Sequence, residues 1–223
     1  MGRVPAEDLA RIHAPLYKAG AKPALVDVPP LPYLMVDGTG APGGAAFRGA
    51  AGALIAAARG VRSVLADWRR VDCRLMPLQG RWWPEPEGSA ASAPAPPGGG
   101  PGTWRWTLMI LQPRQAGPDV VSAAFDAARA ERPAASIDRV RLAVLDEGRA
   151  AQILHVGPAD DQPHTLERLA HFAAHQGYAF CGPHHEVYLS DPAATPPERM
   201  STILRYPVEP AEPEHARPGP LDV

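Results

Sequence analysis

His184-His185-Glu186-Val187-Tyr188-Leu189-Ser190-Asp191-Pro192 alternates with the period of two expected of a β-strand. Val187 and Leu189 fall on one face, and His184, Glu186 and Tyr188 fall on the other. A carboxylate between a histidine and a tyrosine suits the lining of a ligand cleft, where an acid holds a cation or activates a water. The competing reading is an exposed edge strand with one wet face.

Outward from this strand, the periodicity gives an ordered set of elements. Leu166, Leu169, Ala170, Phe172 and Ala173 mark a helix over about 163–176, with Pro163 in its first turn and Gly177 as its C-terminal cap. Before it, residues 139–145 alternate, Asp146-Glu147-Gly148 reads as a hairpin turn, and 150–156 returns. A strand over 201–208 follows. The first half repeats this order. Strands at 24–28 and 31–37 flank Pro29-Pro30. A helix at 45–65 carries Phe47, Ala50, Ala51, Leu54, Ile55, Ala58, Val61 and Leu65 at three- and four-residue steps. Strands at 71–78 and 104–112 follow. Residues 119–131 form a linker helix. The expected fold class is α+β, with two pseudo-symmetric β-β-α-β-β units, about 24–112 and 139–208, around a central ligand cleft. Helices would cover one face of the joined sheet, leaving the other closed by the partner half or open as the cleft.

Composition narrows the function. With 22 basic and 24 acidic residues the net charge is −2, which argues against broad electrostatic binding of nucleic acid. The sequence has no evident run of roughly 18 apolar residues, so no membrane span is expected. The N-terminus lacks the apolar core of a signal peptide, and a cytoplasmic location is expected. Cys73 and Cys181 form no metal or redox spacing and read as reduced thiols. Many of the 28 prolines fall in 84–102, PEPEGSAASAPAPPGGGPG, and in 209–223, EPAEPEHARPGPLDV. Neither stretch has periodicity to bury. They are expected to be a mobile insert and a disordered tail around a single domain at 1–208. Gly98-Gly99-Gly100 opens no helix and is not a phosphate loop.

Several motifs then carry a family resemblance. His155-Val156-Gly157-Pro158, Asp160-Asp161, Thr165, the 184–192 segment and Thr202-Ile203-Leu204-Arg205 occur in order. In the first half stand Val26-Asp27-Val28-Pro29-Pro30, Leu34-Met35-Val36-Asp37-Gly38-Thr39-Gly40, Leu78-Gln79-Gly80-Arg81-Trp82-Trp83 and Trp104-Arg105-Trp106-Thr107-Leu108-Met109-Ile110. Together they resemble the stand-alone branch of the GyrI-like small-molecule-binding family over about 9–208. The 84–102 insert is a departure, being longer and richer in Pro and Gly. The resemblance implies a duplication of the SHS2 type around a cleft, and Glu186 matches the glutamate that meets cationic aromatic drugs in related sensor domains. Some stand-alone relatives hydrolyse the strained cyclopropane of DNA-alkylating natural products. Drug-responsive regulators of the family carry a separate DNA-binding domain; residues 2–22 read as a single short helical arm, so none is expected here.

The expected catalytic residue is Glu186, acting as a general base whose pKa burial raises toward neutrality. The expected ligand-binding residues are Tyr188, His155, Trp83, Trp104, Trp106 and Met109. Trp82, Trp83, Trp104 and Trp106 flank the insert and form either core packing or an aromatic wall for a flat ligand. Adjacent strand residues point to opposite faces, so Trp82 and Trp83 cannot both line the cleft. His155 is either a turn histidine satisfied by backbone or a group that orients the ligand. His171 and His175 share a helix face but lie beside its buried stripe and lack the zinc-protease glutamate. Asp160 and Asp161 read as acids at a helix N-terminus. No metal or organic cofactor is expected. The expected partner is a small hydrophobic or cationic aromatic ligand, with no direct nucleic acid or membrane contact. A non-catalytic binder or sensor and a protein-binding inhibitor of the DNA gyrase type are the alternative functions.

Overall fold

A computed structural model describes residues 8–85, 103–131, 136–191 and 194–211. The elements run α1 (Leu9–Ile12), α2 (Ala14–Tyr17), β1 (Ala24–Val28), β2 (Leu31–Thr39), α3 (Ala45–Arg69), β3 (Leu78–Glu85) and β4 (Thr103–Leu111). Then come α4 (Pro118–Glu131), β5 (Arg141–Leu145), β6 (Gly148–Val156), α5 (Gln162–His175), β7 (Tyr178–Phe180), β8 (His184–Tyr188) and β9 (Ser201–Pro210). The class is α+β, with helices packed on an antiparallel sheet. Most of the insert, 86–102, and residues 212–223 lie outside the described residues. The ends of both proline-rich stretches are strand: Glu85 closes β3, and β9 extends through Glu209 to Pro210.

The sheet order is β1-β6-β9-β8-β3-β4-β2-β5, with β7 added beside β9. Exchanging β1 with β5, β2 with β6, β3 with β8 and β4 with β9 turns this order into its own reverse. The first strand of each half, however, pairs in the other half. β1 pairs with β6, and β5 pairs with β2. The expected hairpin at Asp146-Glu147-Gly148 is therefore corrected: β5 and β6 lie at opposite ends of the sheet order, and 146–147 connects strands that never meet. A turn signal specifies a reversal of the chain, not which strand receives it. The expected strand at 71–78 is also displaced. Beyond an isolated bridge at Val71, residues 72–77 are irregular, and β3 begins at Leu78, where pairing with β4 starts, with β8 joining from Gln79.

Helix α3 runs four residues beyond its expected end, past Leu65, the last member of its buried stripe of Ala50, Leu54, Ala57, Ala58 and Val61. Arg70 closes it in the left-handed conformation, and the Val71 amide that follows donates to the Leu65 carbonyl at 3.2 Å. By length and composition this alanine-rich helix is apolar enough to cross a membrane, contrary to the reading of the sequence, yet its stripe packs into the main core. A second cluster joins Leu166, Leu169 and Ala173 of α5 to Ala151, Ile153, Leu204 and Tyr206. Both helices reach the same face of the sheet: Phe47 of α3 stacks on Trp82, and Gln162 of α5 bonds Glu186, and Trp82 and Glu186 share a face.

The opposite face is closed by the N-terminal arm over a buried polar network, which the sequence reading missed. The side chains of Glu147 and His185 are both fully buried, with His185 Nδ1 2.7 Å from Glu147 Oε1. Arg205 Nη1 lies 3.5 Å from Glu147 Oε2. Arg205 donates to the Leu16 carbonyl at 2.6 Å and to Gln152 Oε1 at 2.9 Å, and Gln152 donates to the Pro15 carbonyl at 2.7 Å. Gln79 bridges His185 and the Tyr17 hydroxyl. Burial pushes the Tyr17 phenol up to about 12, against the opposing pull of Arg205. Burial also works against the Glu147 carboxylate, but His185, Arg205 and Arg81 outweigh it and hold the group down to about 2. Burial holds His185 below its usual range despite the Glu147 carboxylate.

The sign of the resulting pH dependence is set by Glu147. A carboxyl whose folded pKa lies below its unfolded value of about 4.3 stabilises fully above that value, and its contribution disappears as pH falls through the folded pKa. The wild type is expected to lose on the order of 3 kcal/mol between about pH 4.5 and 2 from this group. His185, lowered by burial, adds loss in the same direction from about pH 6.5 downward. Urea denaturation at stepped pH reads the slope. Glu147→Gln should be less stable at neutral pH and flatter across the acid window, and an unchanged slope would remove the assignment.

Candidate functional site

The register places the site at the middle of the sheet. β8 lies between β9 and β3, so it is buried on both faces: His184, His185, Glu186 and Val187 are all buried. This corrects the expectation of a half-wet strand, because alternation reports a change of face and here the second face is covered by the arm. Cross-strand neighbours share a face, so one row runs Gly38, Trp106, Trp82 and His184, and the adjacent row runs Val36, Leu108, Gly80, Glu186 and Leu204.

The aromatic row is continuous. Phe47 stacks on Trp82 at 5.6 Å between centroids with 13° between planes, and meets Trp106 edge-on at 5.8 Å and 74°. His184 tilts against Tyr206 at 5.0 Å, and Phe180 stacks on Tyr206 at 4.3 Å. Glycine makes the row possible. A Cβ on Gly38 would lie 2.1 Å from Trp106 Cη2, so the indole crosses the β2 backbone only because no side chain is there. Gly38→Ala is expected to cost about 1–3 kcal/mol, as overpacking of a well-filled core does. A urea midpoint equal to that of the wild type would show that Trp106 moves aside freely.

Glu186 sits across from Gly80, where a Cβ would lie 2.8 Å from Trp82 Nε1 and 3.0 Å from the Tyr188 hydroxyl. Its carboxylate accepts from Gln162 Nε2 at 2.8 Å and from the Tyr188 hydroxyl at 2.6 Å, and His184 Nε2 lies 3.3 Å from Oε1. Burial alone would raise its pKa, but His184, Tyr188 and Gln162 together hold it below the usual carboxylate range. The expectation of a raised pKa is thus corrected: donors aimed at the charged form outweigh desolvation. Burial, and then the Glu186 charge, raise the Tyr188 phenol well above its usual value, so it remains a donor. Beside this carboxylate two buried polar atoms make no hydrogen bond, His184 Nδ1 and Gln162 Oε1.

The remaining expected residues divide between the faces. Trp104 and Trp106 share the face of Glu186. Trp83 does not. It lies on the opposite face, half-buried, with the Arg81 and Arg105 guanidinium groups 5.3 and 5.5 Å from its ring, and Trp82 takes the position expected of it. Met109, paired with Gln79 and Met35, also faces away from Glu186. The β-strand alternation excludes both from the Glu186 side. His155 shares the Glu186 face, but its nitrogens meet the Thr165 hydroxyl at 2.9 Å and the Pro158 carbonyl at 3.0 Å, inside its own turn. Asp160 and Asp161 are exposed before α5, and Asp161 makes no side-chain cap bond. His171 and His175 are exposed, and among the described residues no three His, Cys, Asp or Glu side chains group as metal ligands.

Sequence reading missed Gln162 and Phe47 as site residues and left Trp82 undecided. Gln162 is the first residue of α5, where side chains lean toward the helix N-terminus and so toward β8. Only the pairing of β3 with β8 shows which tryptophan accompanies Glu186.

An antiparallel sheet with two helices on one face and a buried carboxylate among aromatic rings defines a small-molecule-binding α+β protein. The GyrI-like small molecule binding domain matches residues 120–209. The chain is 32% identical to an uncharacterized conserved protein from Listeria innocua, over 91% of this chain and 99% of that one, with a TM-score of 0.80. It is 31% identical to a hydrolase from Listeria innocua, over 91% and 99%, with a TM-score of 0.77. A further hydrolase from that organism is 30% identical over 92% and 100%, with a TM-score of 0.78. No curated protein matches the chain. The chain belongs to the GyrI-like small-molecule-binding family.

Proposed function

We propose that this protein binds a hydrophobic aromatic small molecule beside Glu186 and adds water to it when the molecule carries a strained electrophilic ring. The observation that carries the reading is an ionised, buried carboxylate beside two buried polar atoms that make no hydrogen bond, His184 Nδ1 and Gln162 Oε1. Buried polar groups are ordinarily satisfied, so such a set calls for a ligand or water. Trp82 and Trp106 supply the apolar surface, and Tyr188 and Gln162 fix the carboxylate. Glu186 takes a proton from water as the water oxygen bonds to the ring carbon. The strained carbon–carbon bond breaks, and its electron pair passes to a conjugated acceptor, which gains a proton from His184 or solvent. The two relatives of about 30% identity that are named hydrolases support a hydrolytic reading.

The second reading is a non-catalytic binder or sensor of cationic aromatic molecules. The lowered Glu186 pKa favours it, because a carboxyl held in its charged form is a weak base and a durable counter-ion. Mass spectrometry separates the two after incubation with cyclopropyl-indole compounds and flat cations. A product heavier by one water means hydrolysis, and unchanged ligand that co-purifies means binding. Neither result with any member of the panel would remove the proposal.

A further inference from the structure

The first turn of α3 carries Phe47, whose place over the tryptophans is unusual for a core residue. Trp82 and Trp106 are each 1% exposed, and the Trp106 indole nitrogen makes no hydrogen bond. Phe47 lies nearly parallel to Trp82 and is itself only half-buried. The chain leading to it is loosely held. Residues 41–43 and 45–46 are exposed, Gly40 and Gly43 adopt φ of +117° and +66°, and Gly44 gives α3 no side-chain cap. Gly40 N is bonded to the Trp104 carbonyl of β4, and beyond it the bonds run within the segment, from Gly44 N to the Ala41 carbonyl, from Arg48 N to the Gly44 carbonyl and from the Arg48 guanidinium to the Gly43 carbonyl. Gly49 and Gly52 face open space in the first two turns.

We propose that Phe47 is a ligand-binding residue that occupies the slot of a planar fused-ring ligand: the ligand takes its place against Trp82, and the Phe47 ring closes over the ligand's outer face. This rests on Glu186 and its neighbours being the binding site. It adds the shape of the ligand, flat on two faces, with its cationic end toward Glu186. Offset stacking at separations of about 4.5–7 Å suits a ring on either side of such a scaffold. The glycine-rich start of α3 supplies the movement, since glycine absorbs backbone rotation at no steric cost.

Stopped-flow fluorescence with ethidium, a planar aromatic cation, tests this on the full chain. Phe47→Ala should raise both the association and the dissociation rate constants, the latter by about tenfold or more, as loss of a covering group acts mainly on release. Binding that depends on Glu186 (weakened in Glu186→Gln) but has rate constants indifferent to Phe47→Ala overturns the role of Phe47 and leaves the site standing. Binding indifferent to Glu186→Gln overturns the site, and no ethidium binding to the wild type overturns the planar slot. If Phe47→Ala fails to fold, fluorophenylalanine labelling serves instead. The chain has four phenylalanines, and the resonance missing from Phe47→Leu assigns Phe47. Its shift on adding ethidium supports the proposal, and its constancy while ethidium binds overturns it.

Discussion

An Arg205→Met variant is expected to lose about 3–5 kcal/mol of folding stability, the usual result of removing one partner from a buried ion pair. The reason is the number of groups one guanidinium satisfies. Arg205 is 1% exposed and faces the fully buried Glu147 carboxylate, Gln152 Oε1 and the Leu16 carbonyl. Methionine fills much of the same volume but leaves a buried charge short of a cation and a backbone carbonyl short of a donor. The loss should appear in the urea midpoint. Amide exchange should also rise at Leu154, whose N–H is bonded to the Gly20 carbonyl at the end of the arm. Adding Glu147→Gln should restore part of the loss by removing the stranded charge. Additive losses in the double variant would mean that the two side chains act independently and that the arm is held by apolar contacts alone.

Glu186→Gln is expected to have its large effect on function and little on folding. Under the proposed hydrolysis, loss of the general base should lower turnover of a neutral strained-ring substrate by ~10²–10⁴ while leaving its binding nearly intact. For a cationic ligand, affinity should fall by about 2–5 kcal/mol, as when a buried charge loses its partner. Folding stability at neutral pH should fall somewhat, because donors that hold the carboxyl below its usual range favour the ionised form in the fold, as they do at Glu147. The lowered pKa sets the pH profile of the wild type: the charge persists below the usual carboxylate range, so the rate should stay level from neutral into mildly acid conditions. A rate that climbs through neutrality would place the titrating base elsewhere. Equal turnover by wild type and variant would end the role of Glu186 as base.

The aromatic site shows where local information stops. Trp82 and Trp83 are equivalent in the sequence, both at the end of one strand. Their faces are decided by β3 meeting β8 in the register Trp82↔His184. A shift of one residue would bring Trp83 to Glu186 and send Trp82 to the arm. Without that register the sequence puts Met109 and Trp83 on the ligand side, and both face away from it. The buried network was hidden for a related reason. Glu147 stands in what reads as a polar turn, His185 beside the more conspicuous Glu186, and Arg205 within an apolar strand. No periodicity links three residues that meet only when the sheet closes.

The sequence by itself determined the helices with their apolar stripes, the period-two strands, the α+β class and the prominence of Glu186 with Tyr188 on one strand face. These depend on residues a few positions apart, whose geometry the backbone repeats. Only the tertiary structure decided that β1 and β5 cross to the opposite halves, that α3 and α5 share the face of Glu186, and that the N-terminal arm seals the other. It also decided that Glu186 is held ionised where burial alone would neutralise it, because the donors from Gln162, Tyr188 and His184 converge on it from α5 and β8. Burial and hydrogen bonding act on a pKa in opposite directions, and which prevails depends on groups brought together through space.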